Sequence, residues 1–414
     1  MITPHKDYRP NPKRAIYVQG AIDQPMIDRL TPEIISLTAD SSEPITVYID
    51  SPGGSPNLTE TLLRLLTVSD QDLTIGCRVI TVVTNRAASA AADLLSSGDY
   101  AIAYPGAQVL YHGTRVSQEK PLTTEWTSML VDYLRESNNK YATKLARKII
   151  DRFMFRFVTS RDNFDEIRKN DPSQKTDLDC FLTEIENNLS PQAQEVLKSA
   201  RKRYNRYAQL LNWVVRKVKS PGKPRSRFEA AQIKAIVDFE LRKNKNEDDW
   251  SFSQGGINTL TDDFFLLNEY LGNYNSGFFK YLCVTYGSFL LTDAETKELD
   301  KASKADRQEK EIEKVSPLLL PVWSFFVALC HALQHGENDL TARDAVWLGL
   351  IDEVLGADEL PCRRLIEEYQ QDAPAQIGDA AAPAQLVAAP EDEEAQGSQE
   401  EPAKEADAAA GAEA

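Results

Sequence analysis

The chain has little with which to tie itself together covalently or through metal. Its five cysteines (Cys77, Cys180, Cys283, Cys330, Cys362) are odd in number, far apart and include no Cys-x-x-Cys pair. Neither a disulfide framework nor a zinc site is indicated, and buried thiols in a reducing compartment are expected. Histidine is scarce, with His5, His112, His331 and His335 making the full set. There is no run of about 18 apolar residues, and Met1 to Arg14 is polar, with Pro10 and Pro12 and no apolar leader core. A cytoplasmic protein with no membrane span is therefore expected. No Gly-x-x-x-x-Gly-Lys-Ser/Thr phosphate loop occurs and no motif requires a cofactor.

The 414 residues suffice for two or three units. The net charge of −16 is unevenly spread: residues 196–245 carry 15 Lys/Arg against 3 acids, whereas residues 372–414 carry 11 acids against one lysine. The basic block interleaves cations with rings (Arg201-Lys-Arg-Tyr204-Asn-Arg-Tyr207, Trp213), a pattern nucleic-acid surfaces use. A solvated helix face, or attraction to the acidic tail, accounts for it more simply, so nucleic acid is not the expected partner. The tail has 16 alanines in 43 residues and almost no large apolar side chain. It cannot offset the entropy of ordering and reads as disordered.

Residues 15–20 and 45–50 read as strands, closed by Gly20 and by Pro52-Gly53-Gly54, with a helical stretch from Gln24 to Thr38 between them. Asn57-x-x-Glu60 looks like a capping box for a helix with a stripe of Leu58, Leu62, Leu65 and Leu66. The continuous run Val79 to Val83 suits a strand buried on both faces of a parallel sheet. A small-residue helix is expected over Ala87 to Leu95, then strands near 101–104 and 109–111. Alternating strands and helices imply an α/β fold. Trp126, Leu130, Leu134, Tyr141, Leu145 and Ile149 trace one long helical stripe.

Three pieces carry the chemistry: Ile45-Thr-Val-Tyr-Ile-Asp-Ser-Pro-Gly-Gly54, Asn85-Arg-Ala-Ala-Ser89-Ala90 and Val109-Leu-Tyr-His112. A Gly-Gly turn frees backbone N–H groups, a strand-to-helix junction offers a serine, and a strand end offers a histidine. Each alone has a bland explanation, as a turn, a tight helix and a hydrogen-bonded histidine. In this order and spacing they resemble the Clp-type serine peptidases, over residues 14–150 and again at Leu340 to Asp352. The sequence departs from that pattern in having Asn85 where the family usually has Gly, and in a Ser-to-His spacing about two residues shorter.

The resemblance implies a Clp/crotonase-like fold of repeated ββα units. It divides the chain into a core (14–150 plus 316–371), a mostly helical insertion (151–315) and the acidic tail (372–414). It implies peptide-bond hydrolysis with Ser89 as nucleophile, His112 as base, and the N–H groups of Gly54 and Ala90 as oxyanion hole. The family's acid position falls on Glu337, with Asp339 two residues later as the other candidate. Peptides or unfolded proteins are the implied substrates, acting within a homo-oligomeric ring fed by an AAA+ unfoldase that would supply any ATP dependence. The alternatives are a catalytically impaired Clp-like subunit or binding scaffold, a crotonase-like acyl-CoA enzyme, and, more weakly, a signal-peptide peptidase. His331-Ala-Leu-Gln-His335 has zinc-protease spacing without the glutamate that would act as base, so no metal is expected. His335 near Glu337 suggests a surface pair or part of the third-member loop.

Overall fold

The computed structural model describes residues 8–67, 77–116, 123–219, 277–357 and 360. His5, Cys362, the breaks at 220–224 and 255–256, most of the basic block and the acidic segment 372–414 lie outside the described residues.

The chain opens with β1 (Ala15–Gln19), α1 (Gln24–Asp40), β2 (Ile45–Ser51), α2 (Pro56–Thr67), β3 (Val79–Ala88), α3 (Ala90–Ser96), β4 (Tyr100–Ala103) and β5 (Gln108–His112). A long helix follows, α4 (Thr124–Thr159), then α5 (Phe164–Asn170), α6 (Asp177–Asn188) and α7 (Pro191–Lys219). The last part holds α8 (Gly277–Leu290), α9 (Asp293–Leu299), α10 (Lys304–Leu333), β6 (Glu337–Thr341), α11 (Ala342–Trp347) and β7 (Glu353–Val354). The result is a mixed α/β fold. No single helix among the described residues is long and apolar enough to cross a membrane.

The sheet runs β1-β2-β3-β4-β7 with every pair parallel. Strand β3 is long enough to serve two neighbours on one edge: Ile80–Val83 pair with β4, and Arg86–Ala88 pair with β5. Strand β6 then pairs antiparallel with β5, setting His112 opposite Glu337 and Leu110 opposite Asp339. The apolar run at the start of β3 is buried on both faces, as its lack of alternation implies. Ile80 and Val82 join Tyr8, Tyr100 and Ile102 on one side, while Val79 and Val83 join the main core on the other.

Three local expectations need correction. Helix α2 starts at Pro56, with Ser55 Oγ accepting from Leu58 N–H (3.4 Å). Pro56 supplies a preset φ and no orphan N–H at the first helical position, so the helix begins there rather than at an Asn57 cap. Glu60, freed from capping, pairs with Lys144 of α4. The small-residue segment is strand through Ala88 and helix only from Ala90, because Ala87 and Ala88 are held in the ladder to Val109 and Leu110. On α4 the first part of the apolar stripe stays out: Trp126 is exposed and Leu130 and Leu134 are half-buried. Core burial begins near Asn139.

The second half of α4 is a hub. Phe153 stacks on Phe326 of α10 (4.6 Å between centroids) and meets Phe181 of α6 edge-on (5.1 Å). Helices α5, α6, α7 and α8 thus share one apolar cluster with the sheet. Buried Arg152 donates from Nε to Asp352 Oδ2 (2.7 Å), and from its other nitrogens to the carbonyls of Ser96, Gly98 and Leu350. Asp352 also accepts from Ala101 N–H (2.7 Å). One guanidinium therefore ties α4, the end of α3 and the closing Gly-Leu-Ile-Asp segment together. Two members of the basic block serve packing: Tyr204 meets Phe325 edge-on, and Arg201 pairs with Glu186 (3.0 Å).

Candidate active site

Ser89 stands alone between β3 and α3. Its backbone has φ 55° and ψ −129°, and no other non-glycine residue among those described has a positive φ. Such a conformation costs an L-residue on the order of 1–3 kcal/mol, so it persists only where the surroundings dictate it. Two constraints do so here. Ser89 N–H donates to Leu110 O (2.8 Å), extending the β3–β5 ladder by one residue, and Ser89 O then accepts from Ala92 N–H (2.9 Å) as the first helical bond. The chain must turn from ladder to helix within one residue, which projects the side chain at the corner. Ser89 makes no side-chain cap bond. Its hydroxyl is not committed to holding the helix.

The Gly-Gly turn lies directly against this corner. A Cβ on Gly53 would sit 2.5 Å from Ala88 O and 2.7 Å from Ser89 Cβ, and one on Gly54 would sit 2.2 Å from Ile22 O. Both positions therefore require glycine for closeness, beyond any turn preference. Gly53 N–H donates to Ser51 Oγ (3.1 Å), whose hydroxyl donates to Gly20 O (2.6 Å). Ile22 is bonded from either side of Gly54, to Gly53 O and from Ser55 N–H. Gly54's own N–H accordingly points away from Ile22. The N–H of Ala90, at the first helical position, has no intrahelical acceptor by geometry.

His112 ends β5, two residues beyond the Leu110 that holds Ser89 N–H, and is partly buried. Its Nδ1 lies 2.6 Å from Gly113 O. A carbonyl can only accept, so Nδ1 carries the proton and the basic lone pair is on Nε2. Neither acidic candidate occupies Nδ1. Glu337 faces His112 across the β5–β6 pair but binds Arg115 (2.5 Å), both side chains being largely exposed. Glu337 thus pairs with Arg115, while His335 Nδ1 bonds the His331 carbonyl (2.7 Å). Asp339 lies two residues on, on the same face, with Oδ1 buried and lacking a hydrogen-bond partner among the described residues. Buried His331 is pushed down to about 3 by desolvation.

The serine corner, the glycine pair and the histidine-bearing strand are thus gathered at one end of β3. Residues 9–156 match the model of the Clp protease family. This stretch is similar to Clp protease. Over 102 residues the chain is 30% identical to ATP-dependent Clp protease proteolytic subunit 3 of Streptomyces avermitilis, covering 24% of this chain and 44% of that protein. Over the same length it is 29% identical to the ATP-dependent Clp protease proteolytic subunit of Carsonella ruddii, covering 50% of that protein. The chain spans about half the length of the curated relatives it matches. The Clp match ends within α4, three residues short of its C-terminus, after both the serine and the histidine.

Several supporting residues escaped the sequence reading. Ser51 and Ile22 hold the glycine turn, the Gly113 carbonyl sets the histidine tautomer, and Asp93 places a carboxyl one helical turn after Ser89. Of these only Ser51 carried a signal, as part of Ser-Pro-Gly-Gly.

Proposed function

We propose that this chain is a serine peptidase of the Clp type, with the Clp/crotonase arrangement of ββα units, cleaving peptide bonds through Ser89 and His112. The observation that carries the proposal is the backbone at Ser89. A strained strand-to-helix corner is what a nucleophile elbow needs, because it exposes the hydroxyl while leaving the next N–H free. Peptides or unfolded proteins are the substrates. His112 Nε2 takes the Ser89 proton as Oγ attacks the scissile carbonyl. The resulting oxyanion accepts from Gly54 and Ala90 N–H, in a site where the dipoles need no reorganisation. Collapse expels the amine, which receives the proton from His112, and water releases the acyl group by the same route in reverse. Glu337 or Asp339 supplies the acid that steadies the imidazolium. By analogy with its relatives the chain assembles with like subunits, and an AAA+ unfoldase partner in the cytoplasm delivers substrate.

One observation favours a second reading, a catalytically impaired subunit or scaffold. Nδ1 of His112 is engaged by a backbone carbonyl, and Glu337 is engaged by Arg115. A fluorophosphonate probe separates the two. It should label the native protein at Ser89, fail on Ser89→Ala, and label His112→Ala slower by orders of magnitude. A native protein that stays unlabelled while a control serine peptidase reacts would refute the peptidase reading and leave the scaffold.

A further inference from the structure

Stripes from three helices meet in a cleft that begins at Ala90, the residue after Ser89. Its walls include Ala90 and Asp93 of α3, Pro56 and Glu60 of α2, and Lys144 and Lys148 of α4. It is narrow, with about 40 Å³ of water-accessible space, room for the tip of one slender side chain. Ala90 carries one of the N–H groups assigned to the oxyanion hole, and Pro56 lies two residues after Gly54, which carries the other, so a carbonyl held there would direct its own residue's side chain towards the cleft.

The chemistry inside is unlike an apolar pocket. Asp93 has Oδ1 buried with no hydrogen-bond partner among the described residues. Glu60 and Lys144 satisfy one another (2.5 Å). Lys148 reaches only Ser97 Oγ, at 3.5 Å, and makes no ion pair among the described residues. Burial pushes Asp93 up to about 7, against the pull of Lys148 and Lys144. In its protonated form Asp93 is a hydrogen-bond donor, and the cleft is left with one cation in excess. A substrate cation would meet two lysines there, whereas a substrate carboxylate would meet Lys148 and the Asp93 hydroxyl. An unpaired charge and an unpaired donor gain most from an anionic acceptor.

Resting on the serine-peptidase reading, we propose that this cleft selects an acidic side chain, glutamate above all, on the residue that donates the scissile carbonyl. Asp93 and Lys148 are the specificity-determining residues.

Two readouts test it, one independent of catalysis. In fluorogenic peptides differing only at that residue, glutamate should exceed leucine, glutamine and lysine in kcat/KM by about tenfold, the scale of one charge-assisted hydrogen bond. Lys148→Met should remove that preference. The groups facing Asp93 are Glu60, Tyr141, Lys144 and Lys148, with Tyr111 of β5 and Cys330 of α10 also near enough to interact. Asp93, raised to about 7 by burial, loses its proton over the interval from about pH 6 to 8, so the preference should fall there and stay flat in Asp93→Asn. Separately, calorimetric titration of Ser89→Ala with tripeptides ending in free Glu, Leu or Lys should favour Glu by a similar factor. Equal binding of the three, or a Lys preference, overturns the proposal even in an active enzyme. A Glu preference in binding without any peptide cleavage or probe labelling sinks the peptidase reading alone and leaves the cleft's selectivity standing.

Discussion

Replacing Ser89 by glycine should stabilise the protein at the moment it destroys the nucleophile. Serine is held at φ 55°, ψ −129° by the ladder bond to Leu110 and the helical bond from Ala92. That backbone strain is worth on the order of 1–3 kcal/mol in an L-residue and is absent in glycine. Glycine adds about 0.5–1 kcal/mol of entropic cost. The hydroxyl makes no capping bond whose loss would count against it. The expected net gain is about 1 kcal/mol relative to Ser89→Ala, which keeps the Cβ and therefore the strain. In a chain of this size 1 kcal/mol moves Tm by roughly 1–2 °C. Paired thermal melts of Ser89→Gly and Ser89→Ala, at matched concentration and pH, provide the assay, with fluorophosphonate labelling absent from both. If Ser89→Gly melts at or below Ser89→Ala, the corner is not strained and the account of why the serine is exposed there collapses.

Arg152→Met should cost about 3–5 kcal/mol, since it strands a buried carboxylate together with the carbonyls of Ser96, Gly98 and Leu350. Asp352→Asn should cost less, because an amide oxygen still accepts from Ala101. A loss below about 1 kcal/mol for Arg152→Met in urea titrations would show that the closing segment is held by apolar packing alone. Glu337→Gln and Asp339→Asn should separate the two acid candidates: the true partner of His112 loses orders of magnitude in kcat/KM, and two near-neutral results mean a Ser-His dyad oriented by Gly113 O. Asp93 has its folded value raised from 3.8 to about 7 by burial. The stability this contributes is complete below about pH 4 and is lost as pH rises towards 7, so Asp93→Asn should gain on the native protein by ~2–4 kcal/mol between pH 5 and 8. A pH-independent Tm difference would contradict the burial of that carboxyl.

Much of the site was legible because its parts depend on local residue chemistry. Ser-Pro-Gly-Gly announces a turn wherever it occurs, and the run Val79–Val83 has no alternation because both faces of β3 are covered. Small side chains at 87, 88, 90, 91 and 92 announce a close-packed segment around Ser89. Local chemistry could not place the boundary between strand and helix within that segment. Alanine tolerates either, and only pairing of Ala87 and Ala88 with β5 extends the strand to the serine. Nor could it show that Gly53 is needed for its distance from Ser89 Cβ, a contact across 36 positions of sequence.

The acid was ambiguous for a related reason. Glu337 and Asp339 share one face of β6, and period-two alternation cannot choose between residues two apart. Glu337 is drawn off by Arg115, a partner more than 200 residues earlier, while Asp339 keeps a buried oxygen with no hydrogen-bond partner among the described residues, and neither outcome is written in β6 itself. The same holds for Asp93, a polar residue in an otherwise small and apolar helix start. Motif order pointed to a Clp resemblance and to Ser89 and His112 as the candidate serine and histidine. Tertiary packing alone decided the strained corner, the histidine tautomer and the charged cleft, because each arises from groups that meet only once β3, β5 and α4 are in place.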